Sequence, residues 1–487
     1  MKFQVKNYLL PRLQDVFFLV IFIMALVFGD RMLNLDGDLP RHLAAGKLIL
    51  QARAIPASEP FVYPLAEEPY TSHEWLTDVV LYLIHSVSGA AGLVWFTAVL
   101  LSSTFLILYS HLSARFNLRL PSFFILALGA AVTSLNWSLR PHMLSMFFLS
   151  IWLVWTDKLS RGEKVPVWIF PAFMVLWANL HGEFIAGILV LFAFSAGWLW
   201  DFIFDRENVS AVAGRSLWLA LLLSLFATLL NPSGLQPWRM IIGVVNNDYL
   251  MSRIAENHPP DFSQSNFLIL MVLLVLSVAL LAIKKERIAT GKAFLLAGFT
   301  AMSLMAGRNI HLYGIVAPFI LVETLLAAKD VKLVNRLETV VRGMEKGIRG
   351  ALWILIVTAF IGVNLLSGRY GNIYQFDNQV FPVDAVNWLE SHPQNGQMFN
   401  KLDWGGYIEF RLGPENKVFA DSISDVTGEV TRKYETVIGL ADGWESILNE
   451  HHVDWTIIPT KSELAATLKE AGWDILYEDE TATILRR

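Results

Sequence analysis

The stretch Asp36-Gly37-Asp38-Leu39-Pro40-Arg41-His42 sets two carboxylates one residue apart, with an arginine and a histidine close behind. It opens a loop, 30–77, that reaches His73-Glu74-Trp75. Such carboxylates could take a proton from a hydroxyl, or hold a divalent cation such as Mg or Mn through Asp36 and Asp38. Arginines bind phosphate oxygens bidentately and stabilise a departing phosphate. The chemistry in view is therefore proton abstraction beside an anionic leaving group.

The elements that must position these groups are apolar. Of 487 residues, 54% are hydrophobic and 17% charged, below the quarter or so usual in soluble domains. The hydrophobic residues come in runs of about the length a helix needs to cross ~30 Å of hydrocarbon, so we read a polytopic α-helical membrane protein. Ionisable groups beside such runs are costly unless they have partners or a task. The net charge of −5 and the lack of a basic tract offer nothing to nucleic acid. With no cysteine, disulfides and thiolate chemistry are excluded. Leu33-Asn34-Leu35-Asp36, not a small-residue cleavage site, follows the first run, which reads as a retained span. Seventeen Trp and thirty-two Phe fit interfacial belts and packed lipid-facing surfaces.

About eleven spans are expected, near 15–29, 92–109, 121–137, 143–155, 165–180, 184–203, 217–230, 267–283, 293–306, 312–328 and 351–366. Within the first loop, residues 39–52 and 73–86 read as amphipathic helices on the membrane surface, the second ended by Gly89. Pro56, Pro60, Pro64 and Pro69 keep the chain between them extended. Segments on the N-terminal side of the membrane hold 20 Lys and Arg, among them Lys2, Lys6 and the run 284–287; the opposite loops before residue 367 hold 8. This bias puts the N-terminus in the cytoplasm and the Asp36 loop outside. An odd number of spans puts the C-terminus outside too. Residues 1–368 thus form a transmembrane domain with outer loop 30–77. From about Arg369 charge rises and helix alternates with strand, indicating a small extracytoplasmic α/β domain, 369–487. Its expected strands are 417–420, 453–459, 474–477 and 482–485, with helices at 382–392, 444–450 and 463–472.

Six of the eight histidines before residue 367 map to the outer boundary: His42, His73, His142, His181, His258 and His311. Arg140, Arg308, Glu74, Glu183 and Glu256 share that boundary. Any one of them could be an interfacial cap or a snorkelling anchor. Their coincidence on one side, from spans far apart in sequence, argues for a shared polar cavity. Asp38, His73, His181 and Arg308 should line it. No phosphate-binding G-x-x-x-x-G-K-[ST] loop and no G-x-G-x-x-G fingerprint is present, so nucleotide-driven transport and dinucleotide chemistry have no support.

At this point the chain resembles the GT-C glycosyltransferases, which take a sugar from a polyprenyl-phosphate carrier on the non-cytoplasmic face. Asp36-Gly37-Asp38-Leu39-Pro40-Arg41-His42-Leu43-Ala44-Ala45-Gly46 is similar to the D-x-D-x-x-x-H-x-x-x-G opening of a bacterial branch of that superfamily. So are His73-Glu74-Trp75-Leu76, Trp177-Ala178-Asn179-Leu180-His181-Gly182, Asn231-Pro232, Arg308-Asn309-Ile310 and, in the tail, Asp403-Trp404-Gly405-Gly406-Tyr407 with Asp421. Pro40-Arg41 departs from the aromatic residues expected there, which bears on the lipid or sugar contact. The resemblance implies Asp36 or Asp38 as catalytic carboxylate, with His73 and Glu74 as loop partners. Members differ in metal need, so a divalent cation is left open. Arg41, His42, Arg140, His142, His181, Glu183, Arg308 and His311 are the candidate substrate-binding residues. The paired glycines 405–406 read either as a closely packed turn or as a glycan contact.

The expectation is thus a glycosyltransferase of the bacterial inner membrane and cell envelope, moving a hexosyl or pentosyl group from a polyprenyl-phosphate donor to a glycan, lipid or protein acceptor. Two rivals from other classes are a transporter or flippase of a lipid-linked or anionic solute, and a non-catalytic envelope assembly protein. Transporters place ionisable sites near the midplane, often within internal repeats. An assembly protein would leave the outer carboxylate–histidine set without a task.

Overall fold

A run of apolar residues in lipid has no water to satisfy its backbone, so it must close its hydrogen bonds within itself as helix. The computed structural model describes residues 10–70, 73–206, 209–283, 288–326, 332–348, 350–367, 373–425 and 427–487. Lys2, Lys6, the basic run 284–287 and the expected domain boundary near Arg369 lie outside them. The helical part runs α1 (Leu13–Val27), α2 (Gly29–Leu33), α3 (Asp38–Ala52), α4 (Trp75–Phe116), α5 (Arg119–Thr133), α6 (His142–Ser160), α7 (Ile169–Leu180), α8 (Phe184–Phe204), α9 (Ala211–Ala227), α10 (Gln236–Val245), α11 (Asp248–Arg253), α12 (Leu268–Ile283), α13 (Thr290–Met305), α14 (Ile310–Thr324), α15 (Lys332–Glu345) and α16 (Leu352–Leu366).

Each expected span falls on one of these helices. Among the described residues, four stretches are long and apolar enough to cross a bilayer: α4, α5 with the turn after it, α8, and 265–283 around α12. Helices α1, α7, α9, α13 and α16 are apolar but shorter. The interior follows hydrophobicity all round the helix. Helix α14 is buried along nearly its whole length, whereas α12 leaves most of its surface outward, as a lipid-facing helix should. Helices α5 and α14 approach closely because Gly129 faces the carbonyl of Gly314. A Cβ on Gly129 would come 2.4 Å from that oxygen. This contact matters for the site, since α5 leads into Arg140 and α14 begins beside Arg308.

One expectation about the outer loop is corrected. Helix α3 does not lie on the membrane surface. Its first two turns are buried on nearly every side, from Leu39 to Gly46, between α4 and the tail. Gly46 sits against the Asp78 carbonyl, where a Cβ would come within 2.1 Å. As expected, Gly89 ends the helix that begins at Trp75: its φ of 59° leaves the helical region, and the second span follows across this break within α4.

The tail forms α17 (Val383–Ser391), β1 (Gln397–Asn400), α18 (Gly405–Leu412), α19 (Glu429–Ile438), α20 (Trp444–Glu450), β2 (Val453–Pro459), α21 (Glu463–Glu470), β3 (Asp474–Glu478) and β4 (Ala482–Arg486). The sheet order is β1-β2-β4-β3, with β1 parallel to β2 and the other pairs antiparallel. The strand expected at 417–420 is not in this sheet. Val418 bonds the outer loop instead, donating to the Phe61 carbonyl at 2.8 Å and accepting from the Tyr63 N–H at 3.1 Å. The first strand of the sheet, β1, carries too short an apolar pattern to have been read. Val62 and Leu65 of the loop are buried in the tail's own core, so loop and tail share one hydrophobic interior.

Candidate active site

The site begins at the N-terminus of α3. Asp36 Oδ1 accepts the Asp38 N–H at 3.0 Å, fixing the turn that presents both carboxylates. Arg140 lies between them, with Nη2 at 2.5 Å from Asp36 and 3.1 Å from Asp38. Its Nη1 reaches Glu256 at 2.6 Å. The Ser422 hydroxyl, from the tail, donates to Asp38 at 2.5 Å. Burial raises the Asp38 carboxyl to about 6, against the lowering pull of Arg140.

Arg308 comes to the same neighbourhood. The Gly307 N–H donates to the His258 carbonyl at 2.9 Å, and Arg308 donates to Asn257 at 3.1 Å. Among the described residues no carboxylate lies within ion-pair distance of Arg308. His258 itself turns away, onto the Ser252 carbonyl at 3.0 Å. Five of the six outer histidines therefore gather and His258 does not.

The second cluster centres on Glu74, just before α4. His181 Nε2 stands 3.2 Å from Glu74, His73 3.5 Å and His42 3.9 Å. His42, one turn along α3 from Asp38, bonds Asp78 at 2.7 Å. Burial alone would depress His42; the Asp78 bond overrides it and holds the imidazole up at about 9. Burial would raise Glu74, but His73, His181 and His42 around it bring it below the usual range. From His181 the chain of polar groups continues to Glu183 at 3.5 Å and on to His311 at 3.0 Å from Glu183. His142 packs 5.3 Å from the His311 ring and points Nε2 at the Asn136 carbonyl, 2.7 Å away. Packing residues aim this set. The buried Trp177 donates to Ser145 at 2.8 Å, and Ser145 lies 2.8 Å from His181 Nδ1. Trp75 donates to Asn179 at 2.9 Å, tying the start of α4 to the end of α7.

A cavity of about 720 Å³ opens beside this cluster. Its walls include His42, His73 and Glu74, Arg239 and Met240 of α10, and Asp425 of the tail. Of the four residues expected to share one cavity, His73 lines it. Asp38, His181 and Arg308 do not line it, contrary to expectation: His181 lies behind Glu74 and Asp38 one helical turn behind His42. Arg308 is placed by Asn257 beside the aspartate pair. Arg239 was passed over in the sequence, where nothing separates it from other loop arginines. Among the described residues its guanidinium has no partner.

Arg41 lines the cavity as well, and its ion pairs tie the tail to it. Its guanidinium is buried against Asp421 at 2.7 Å, Glu409 at 3.1 Å and Glu59 at 3.2 Å, joining α3 to the tail and to the loop. Burial and neighbouring Asp421 push the Glu409 carboxyl well up. The charge replacing the expected aromatic at position 41 thus holds the tail. The glycine pair sits at the same seam. A Cβ on Gly406 would meet the Gly37 carbonyl at 2.5 Å, and one on Gly405 the Ala420 carbonyl at 2.3 Å. Close packing, at the start of α18, accounts for both. Asp78 and Ser422 had no sequence signal beyond their types.

Asp36, Asp38 and Glu256 all converge on the Arg140 guanidinium, which balances the charge of the aspartate pair in this structure. Among the described residues no group of three or more His, Asp or Glu side chains is arranged around a metal position.

No family model matches the chain, and no curated protein matches it in sequence. Solved structures do. The oligosaccharyltransferase of Archaeoglobus fulgidus in its apo form aligns with TM-score 0.59 and 13% identity over 91% of this chain and 70% of that one. The same organism's AglB, in complex with an inhibitory peptide and a dolichol-phosphate, gives 0.58 and 12% over 91% and 69%. ArnT from Cupriavidus metallidurans, bound to undecaprenyl phosphate, gives 0.51 and 11% over 96% and 97%. At these identities the likeness is one of fold, and on it the chain is a polytopic membrane protein with the GT-C glycosyltransferase fold.

Proposed function

We propose that this protein is an integral membrane glycosyltransferase, moving a hexosyl or pentosyl group from a polyprenyl-phosphate carrier to a glycan, lipid or protein acceptor on the extracytoplasmic face. One observation carries the reading. At one end of the helical bundle, Asp38, whose basicity burial raises, sits one turn from His42 in the wall of a roomy cavity, and two arginines, Arg308 and Arg239, have no carboxylate partner among the described residues. A proton acceptor one helical turn behind the cavity wall, with the Arg239 guanidinium in that wall and Arg308 outside it, suits an acceptor hydroxyl and a lipid phosphate.

In the proposed step the Asp38 carboxylate takes the proton of the acceptor hydroxyl. The acceptor oxygen forms the new bond at the anomeric carbon as the bond from that carbon to the carrier phosphate breaks. The electron pair leaves with the phosphate, whose charge Arg308 and Arg239 balance. A base near 6 is ionised at neutral pH and stronger than an ordinary aspartate. Asp36 shares Arg140 and keeps it from closing on Asp38 alone. Glu74, held ionised by its histidines, orients them around the cavity wall. In this topology the N-terminus is cytoplasmic and the tail is extracytoplasmic, where it contributes Ser422 and Asp425.

The experiment is transfer by the purified protein from labelled polyprenyl-phosphate sugars, comparing the unaltered chain with Asp36→Asn and Asp38→Asn. Turnover that survives unchanged in both variants rejects the catalytic assignment.

A further inference from the structure

The seam between α3 and the tail buries charges that do not cancel. Arg41 of α3 stands within ion-pair distance of three carboxyl groups, on Asp421, Glu409 and Glu59, and none of the four side chains is more than 7% exposed. With every carboxyl ionised, one positive charge would face three negative ones away from water. A buried acid in that position takes up a proton instead.

The hydrogen bonds say which carboxyl takes it. Asp421 Oδ1 accepts the Ile423 N–H at 2.9 Å and the Ser424 N–H at 2.6 Å. Its Oδ2 accepts from Arg41 at 2.7 Å and from the Ser424 hydroxyl at 2.6 Å. Glu59 Oε1 accepts the Phe61 N–H at 3.0 Å and Arg41 Nη2 at 3.2 Å. Both groups are held as acceptors, the role of an ionised carboxylate. Glu409 is enclosed as fully, yet neither of its oxygens accepts a hydrogen bond among the described residues. The Arg41 Nε that approaches it is given to Asp421. A buried carboxyl without donors is satisfied as a donor, in its protonated form, and the acceptor beside it is Asp421.

The charged groups facing Glu409 come from three segments: Arg41 from α3, Glu59 from the outer loop, and Asp421 from the turn after Ala420. Tyr70 of the loop lies 5.8 Å from the Arg41 guanidinium. Elsewhere around α18, Glu390 of α17 pairs with Arg411 at 2.7 Å, Asp403 pairs with Lys401 at 3.4 Å, and the His85 ring of α4 packs 5.2 Å from Phe410.

We propose that Glu409 is protonated and donates to Asp421, and that loss of this proton to water as pH rises loosens the tail from α3. A free glutamate ionises near about 4.3, and burial with the Asp421 charge holds the docked one well above its ordinary value. Docking therefore takes up one proton and weakens with rising pH, by up to about tenfold in its equilibrium constant per pH unit. The consequence reaches the cavity. Ser422, next to Asp421, donates to Asp38, and Arg41, Glu59 and Ser424 are in the cavity wall. A loosened tail withdraws that hydroxyl and opens that wall. The inference concerns the seam and stands whatever reaction the cavity serves.

The test uses the full chain in detergent. The chain has no cysteine of its own, so spin labels on Gln51→Cys of α3 and Ser391→Cys of α17, both exposed, report the distance across the seam. Between about pH 6 and about pH 9 the distance distribution should lengthen and broaden. With Glu409→Gln, whose amide donates to Asp421 but does not titrate, it should stay as it is at the acid end. Glu409→Met, of similar length and also without a titrating group, should give the same flat response should the glutamine variant not fold. Infrared spectra of the unaltered chain at neutral pH should show the carbonyl stretch of a protonated carboxyl that both variants lack. A pH response shared by the variants, no response in the unaltered chain, or no such band lost on substitution would each overturn the inference.

Discussion

The two ends of the helical bundle both bury charge, and they do it differently. Near the N-terminal end of α13, Asp157 is fully buried and meets His111 at 3.1 Å, Lys292 at 3.0 Å, Arg161 at 3.1 Å and also Arg115. Lys292 goes on to Glu323 at 2.6 Å. Those residues come from α4, α6, α13 and α14, so the cluster staples four helices. It does not line the cavity described above. At the other end, Asp38 keeps a raised basicity, Arg308 and Arg239 have no carboxylate partner among the described residues, and a cavity of about 720 Å³ stands open beside Glu74. A saturated cluster holds structure; one with charges to spare has something left to bind.

The largest effect that could break this contrast is on turnover. Asp38→Asn should cut glycosyl transfer by roughly 10²–10⁴-fold, the usual worth of a general base, with little change in melting temperature. Asp157→Asn should do the reverse. Removing one member of a buried ion cluster costs about 3–5 kcal/mol of stability, read as a lowered melting temperature in detergent, while turnover per folded molecule stays near normal. If Asp157→Asn instead abolished turnover in a stable protein, the two ends would not divide as described.

Smaller effects sharpen it. Arg308→Gln should lower kcat/KM by roughly 10- to 100-fold through a lost charge-assisted bond to phosphate, and should restore poorly with lysine, which lacks the bidentate fork. His42→Gln should cost about 1.5–3 kcal/mol of stability. Because the folded imidazole sits near 9, above its unfolded value, that stabilisation is full below pH 6.5 and is lost as pH rises through about 9. The difference between the two proteins' melting curves should vanish above that range. Last, kcat/KM should rise with pH through a limb near 6, as Asp38 gives up its proton, and Asp38→Asn should lack that limb.

Much of this was legible before any coordinates. Each apolar run became a helix because hydrocarbon leaves the backbone no other partner. That Asp36, Glu74, Arg140, His181 and Arg308 fall at one end of the bundle was readable from span order alone. Arg41 was not. Its type suggested substrate phosphate and it does line the cavity, but its ion-pair partners, Glu59, Glu409 and Asp421, lie 18 to 380 residues away in the chain. Nor could spacing show that α3 is enclosed, since its apolar stripe fits a membrane surface as well as a packed seam.

The sequence by itself determined the helices, their order and the kind of chemistry available at their ends, because hydrophobic length and residue type are local properties. Only the tertiary structure decided which charges cancel. Asp36, Asp38 and Glu256 converge on Arg140, His258 turns away, and Arg239 faces the cavity. Pairing depends on distances of 3–4 Å between segments far apart in the chain, and a Coulomb term at that range outweighs any local preference.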